Sequence, residues 1–233
     1  HYRITGKNDD GTLQLTGGHQ NNRRMGIHRD NRMVEGIFEE LDTQDEWFFD
    51  KDSHTLYYYP LAGRDIAKST FEVAAQKTRV EIRGATSISI QDLELTGTAR
   101  TFMEEYEPLL RSDWTVYRGG AIVMEGTEDC SIKNCHLHNL GGNGVFISRF
   151  NHDALVSSCH IENIGASAVL FVCDTSAVRS PSFEYNEFVP IDKMDFTHGP
   201  MNDNYPTHCT VADNLIHHIG LFEKQITGIE LSM

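Results

Sequence analysis

The chain has 233 residues, enough for one large domain or two small ones. Hydrophobic residues make up 39% and charged residues 23%, the balance of a globular protein, and no apolar run approaches the roughly 20 residues that span a bilayer. With Lys+Arg 20 against Asp+Glu 34 the formal net charge is −14, a field that repels nucleic-acid backbones and anionic membranes and argues against both as partners.

The chain starts at His1 rather than Met, without the pattern of a signal peptide, and its last residues, TGIELSM, read as a strand stopped in mid-pattern. Both features lead us to expect an internal piece of a longer protein. Residues 1–77 hold short alternating runs broken by Gly, Asp and Asn. Trp47–Phe48–Phe49, the polar stretch Asp50–His54 and Leu56–Tyr59 form the pattern of a hairpin with a polar loop. RMVEGIFEEL, just before it, suits one or two helical turns. We expect these residues to form a small β-rich module laid on whatever follows.

From about residue 78 the chain repeats itself. CSIKNCHLHNLGG at Cys130–Gly142 recurs as ALVSSCHIENIGA at Ala154–Ala166 and, more loosely, as CTVADNLIHHIG at Cys209–Gly220. Cys135 and Cys159 lie 24 residues apart. Ile90, Ile132, Val156 and Val211 correspond, as do Leu137, Ile161 and Ile216, and Gly141, Gly165 and Gly220 close the units. A fixed period in the twenties marks a solenoid. The leucine-rich frame is absent and no stretch holds a helical period. Short alternating runs separated by Asn or Asp, rich in β-branched residues and Gly, predict an all-β right-handed parallel β-helix. One coil cannot bury its apolar face alone, whereas coils stacked about 4.8 Å apart line the interior with columns of like residues. Asn139 and Asn163 fall at a turn where a left-handed backbone is expected. The strand that starts each coil is apolar on both faces, with Ile122, Phe146 and Leu170 alternating with Val123, Ile147 and Phe171. Such a strand needs a cover, supplied by an insertion or by the N-terminal module. In the next coil Glu230 takes the outer position, where desolvation would raise its pKa if the cover extends over it; if the cover ends there, Glu230 faces water.

Two insertions break the period, near residues 98–118 and 175–207. They carry Phe102, Tyr106, Trp114 and Tyr117, and Phe183, Tyr185, Phe188 and Tyr205, together with acids. Aromatic faces beside carboxylates suit sugars. The five cysteines, Cys130, Cys135, Cys159, Cys173 and Cys209, are odd in number and show no CxxC pair, so we expect free buried thiols.

The hairpin EWFFDKDSHTLYYYP, followed by VEIRGATSISIQDLELTGTA and by coils of the form GAIVMEGTEDCSIKNCHLHNLGGNGVFI, resembles the right-handed β-helix proteins grouped around glycoside hydrolase family 141. That resemblance, from about Arg32 to the end, implies α-L-fucosidase or xylanase activity, a secreted or periplasmic enzyme, a plant or algal oligo- or polysaccharide as partner, and further coils after Met233. Glycoside hydrolysis needs two carboxyl groups flanking the bond. The candidate acids are Asp174, where a coil strand ends and the larger insertion begins, Glu223 in GLFEKQITG, and Glu230. Lys224, Gln225, Tyr205, His138 and His217 are candidates for holding sugar hydroxyls. His138, Glu162 and His217 share one repeat position, a column able to bind a metal or relay protons but more commonly an exposed polar ladder; His136 and His160 form a second. We expect no cofactor and no resident metal. A polysaccharide lyase on the same fold would want basic residues to neutralise a uronate, against the acidic balance. A non-catalytic carbohydrate-binding or adhesive solenoid is the reading from a different class.

Overall fold

The computed structural model describes residues 2–17, 27–109, 115–183 and 187–232; Trp114 and Tyr185 lie outside them. The repeating part folds as a parallel β-helix of three sheets. The first sheet contains Val80–Arg83, Ile122–Glu128, Val145–His152, Val169–Val172 and Ile229–Ser232, with Pro206–Thr207 alongside the end of Val145–His152. The second contains Ser89–Gln91, Ser131–Lys133, Leu155–Ser157 and Thr210–Ala212; the third contains Glu94–Thr98, His136–Leu140, His160–Ile164 and Leu215–His217. All pairings within these sheets are parallel.

The columns of the second and third sheets follow the repeat. Ile90, Ile132, Val156 and Val211 stack in register, as do Leu95, Leu137, Ile161 and Ile216. Ile132, Val156, Leu137 and Ile161 are fully buried in one continuous core. The first sheet departs from the period of 24. Its register pairs Ile122 with Val145 and Val123 with Phe146, one residue out of step with the alignment of Ile122 on Phe146. The inner column is therefore Ile122, Val145, Val169 and Ile229, and the outer one Val123, Phe146, Leu170 and Glu230. A β-bulge restores the period further along: Glu125 pairs with Ser148 but Thr127 with Asn151, and Arg149 takes φ 60° to absorb the extra residue.

The corners are made by residues in the left-handed region, in three columns. They are Ser87, Asp129, Asp153 and His208; Asp92, Asn134, Ser158 and Asp213; and Gly97, Asn139, Asn163 and His218, spaced five residues apart within a coil. Short polar side chains and Gly tolerate this backbone at least cost, which is why these types recur there. Gly141 and Gly165 serve another purpose, close approach of successive coils. A Cβ on Gly141 would sit 2.4 Å from the Ala99 carbonyl carbon, and one on Gly165 2.4 Å from the Gly141 oxygen.

The smaller insertion supplies the cover that the outer column requires. Val116 and Leu109 pack on Val123, Phe146, Leu170 and Val172 as a second apolar cluster outside the first sheet. The larger insertion holds two 3-10 turns, Thr175–Ala177 and Ile191–Lys193. All five cysteines are free; Cys130, Cys135, Cys159 and Cys173 are buried, and burial pushes the Cys159, Cys173 and Cys209 thiols up.

The N-terminal residues do not form one unit. Residues 1–25 group with 74–233, and Tyr2–Lys7 pairs antiparallel with Leu13–Gly17 there. Gly26–Val73 is a separate compact unit. Within it Trp47–Asp50 pairs antiparallel with Thr55–Tyr58 in the hairpin expected from sequence, and the segment before it forms a single 3-10 turn, Phe38–Glu40. The rings of Phe38, Phe48 and Tyr57 pack together.

Candidate functional site

The turn from the third sheet to the first holds a pocket. On successive coils the turn presents Asn143, then Ala166 and Ser167, then Glu223, Gln225 and Ile226, and the smaller insertion closes it with Tyr106, Thr115, Val116 and Tyr117. Glu230 lines it from the first sheet. Asn143 organises the wall: its amide donates to the carbonyls of Tyr117 and Gly119, and its oxygen accepts from Ser167 N–H. The Ser167 hydroxyl accepts from Thr227 N–H on the following coil. The pocket measures about 20 Å³, room for about one water.

Two of the three candidate acids meet here. Glu223 is 5% exposed and Glu230 8%. The Tyr106 hydroxyl donates to Glu223 Oε1, so Glu223 acts as an acceptor. Glu230 sits at the end of the outer apolar column. Burial raises its carboxyl above the ordinary glutamate range, opposed by a hydrogen bond with Ser167. Its Oε1 has no hydrogen-bond partner among the described residues, nor does the nearby Thr227 Oγ1. A buried carboxyl oxygen without a partner is costly and marks a place for water or a ligand. Gln225 lines the same pocket.

The other candidates lie elsewhere. Asp174 caps the Thr175–Ala177 turn by accepting from Ser176 N–H and pairs with Arg149 at 2.9 Å. Its hydrogen bonds with Ser176, and then Arg149, hold its pKa below the usual carboxylate range, the reverse of what a proton donor needs. Lys224 folds back, its Nζ donating to the carbonyls of Gly220 and Leu221. Tyr205 belongs to the end of the larger insertion and does not line the pocket. His138 and His217 are on the outer face of the third sheet.

That face carries the histidines in the predicted register: His138, Glu162 and His217 in one column, His136 and His160 in the other. The rings of His136 and His160 stack at 4.7 Å and 8°. His136 Nε2 lies 3.1 Å from Glu162 Oε1, and this hydrogen bond, with the neighbouring imidazoles, lowers the Glu162 pKa.

A larger pocket, about 280 Å³, lies within the second insertion and contains one acid, Asp195. Hydrogen bonds from Thr197, then Arg179, lower the Asp195 pKa to about 2, so it offers no proton donor. Sequence reasoning missed Tyr106, Asn143 and Ser167 as site residues. The chemical type of Tyr106 was visible, but its bond to Glu223 spans 117 residues and has no local signal.

Residues 65–232 match the family described as the right handed beta helix region, and the chain belongs to that family. No curated protein and no solved structure matches the chain.

Proposed function

We propose that the chain is the β-helix of a secreted or periplasmic glycoside hydrolase acting on plant or algal oligo- or polysaccharide, of the fucosidase or xylanase type that its resemblance to glycoside hydrolase family 141 implies. The observation that carries this reading is the pair of buried carboxyl groups on one pocket in two different environments. Glu230, desolvated and with a raised pKa, is the carboxyl group suited to deliver a proton to the leaving glycosidic oxygen. Glu223, accepting from Tyr106, is the partner placed to serve as nucleophile or as base toward water. Gln225 and Asn143 supply amide groups at the rim. Because the pocket holds about one water, a sugar ring enters only when the Tyr106 and Tyr117 side chains in its wall move outward.

The cations on the first sheet and in the smaller insertion beside it support hydrolysis over lyase chemistry. Arg83 and Arg149 both pair with Glu125, Arg149 also with Asp174, and Arg118 with Glu107, leaving these guanidinium groups committed to carboxylates. The small pocket favours a second reading, a non-catalytic carbohydrate-binding solenoid in which Glu223 and Glu230 are structural.

The test is a product assay of the full natural chain on fucosylated, xylan and uronate glycans. Reducing ends without new ultraviolet absorbance, lost in Glu230→Gln and Glu223→Gln by about a thousandfold with the fold intact, are expected. Unsaturated products overturn hydrolysis in favour of a lyase. Binding without turnover supports the solenoid reading, and full activity in both variants removes the pocket as the site.

A further inference from the structure

We propose that His136, His160, Glu162 and His217 bind one divalent transition-metal ion of the zinc class on the outer face of the third sheet. This site is separate from the carboxyl pocket and does not depend on its assignment. Neither histidine column makes it alone; it forms across the two columns, where three imidazoles turn toward one carboxylate. His136 Nε2 is 3.1 Å from Glu162 Oε1, His160 Nε2 is 3.9 Å from the same oxygen, and His217 Nε2 is 3.8 Å from Glu162 Oε2. His160 Nε2 and His217 Nε2 face each other at 2.8 Å. The ligand atoms of His136, His160 and Glu162 all lie within 4.8 Å of one another.

The longer distances carry the argument. At 3.8–3.9 Å the contacts of His160 and His217 with Glu162 are too long for hydrogen bonds. Yet an ion ligated at about 2.0–2.1 Å spans up to about 4.1 Å between two donors, and about 3.4 Å in a tetrahedron. The distances from the three imidazoles to Glu162 bracket that spacing; His136, His160 and Glu162 already lie together, and His217 completes the set by rotating its side chain toward them. Imidazole and carboxylate donors together suit zinc and its neighbours rather than calcium or magnesium, which prefer oxygen alone.

The surroundings hold the ligands in place. His217 Nδ1 lies 2.6 Å from His218 Nδ1, which turns Nε2 toward the cluster. His138 stacks on the His136 ring at 4.3 Å and is itself held by Glu94 at 2.7 Å and by Asn139 at 2.9 Å. The ligand side chains are 24–38% exposed, open enough for an ion to enter. Among the described residues, two other groups have ligand atoms close together. The Glu94, His136 and His138 group shares His136, and in the His152, Asp153 and His208 group Asp153 and His208 are exposed. The ligands come from three successive coils, so a bound ion would tie those coils together.

The experiment uses the chain without a polyhistidine tag. Titration calorimetry with Zn²⁺ and visible absorption with Co²⁺ are expected to show one ion per chain in tetrahedral geometry, with a Tm that rises with Zn²⁺. Affinity is expected to fall about 100-fold in Glu162→Gln and in His160→Ala/His217→Ala, and to hold in His152→Ala/His208→Ala. The absence of both heat and a Co²⁺ band overturns the proposal. So does binding that survives Glu162→Gln, a near-isosteric change that leaves the backbone undisturbed, or binding lost only in the His152/His208 variant.

Discussion

The outer faces of the first and third sheets are built by the same stacking rule and end in opposite chemistry. On the first, Val123, Phe146 and Leu170 are covered by Val116 and Leu109, and the column passes to Glu230. On the third, His136, His138, His160, Glu162 and His217 stand in a half-open face. Two glutamates in equivalent outward positions therefore shift in opposite directions: desolvation raises Glu230, while hydrogen bonding from His136 and nearby imidazoles lowers Glu162. A β-helix sets which residues share a column. What lies over the column decides whether a carboxyl there keeps or loses its proton.

Breaking the cover gives the largest effect. Phe146 is fully buried between the insertion and the sheet, and Phe146→Ala is expected to cost about 3–5 kcal/mol in chemical denaturation. An undiminished unfolding midpoint would show that the insertion does not depend on this column.

A smaller effect follows from Glu230 and depends on pH. A carboxyl whose folded pKa is raised binds more protons folded than unfolded, so its penalty is absent below the unfolded value of about 4.5 and grows as pH rises toward and through the folded value. Glu230→Gln is therefore expected to gain stability relative to the native chain between about pH 5 and 8, by about 1–3 kcal/mol at the upper end. Thermal melts at several pH values measure this, and a constant difference would contradict a desolvated carboxyl.

Asp174→Ala sharpens the comparison from the edge of the same sheet. It removes a turn cap and a partly exposed ion pair, for an expected loss of about 1 kcal/mol with glycan turnover unchanged. A turnover loss like that of Glu230→Gln would bring Asp174 back into the site. The smallest effect belongs to Glu162. Its lowered pKa stabilises the fold above the unfolded value, and that gain disappears as pH falls through the folded value. Glu162→Gln and the native chain should thus converge in Tm in acid and differ slightly at neutral pH.

Much of the architecture was legible in the residues. The columns of Ile132 and Leu137, the corner asparagines Asn139 and Asn163, the hairpin of Trp47–Tyr58 and the outward place of Glu230 follow from period and residue type, because stacking repeats one local geometry in each coil. The first-sheet register was misread because an exact period of 24 hides a one-residue offset that is recovered only at the Arg149 bulge. The placing of the cover on the smaller insertion was open in the sequence, since an apolar face states that something covers it but not what.

The amino-acid order by itself determined the repeat, its parallel stacking and the chemical makeup of each column, since these rest on interactions between residues at one fixed spacing. Only the tertiary structure decided that Glu223 and Glu230 share a pocket under Tyr106, and that His136, His160 and His217 turn toward Glu162 across two columns. Those meetings join residues from different coils and from an insertion outside the period, and the physical force behind them is packing and desolvation, which local sequence pattern does not encode.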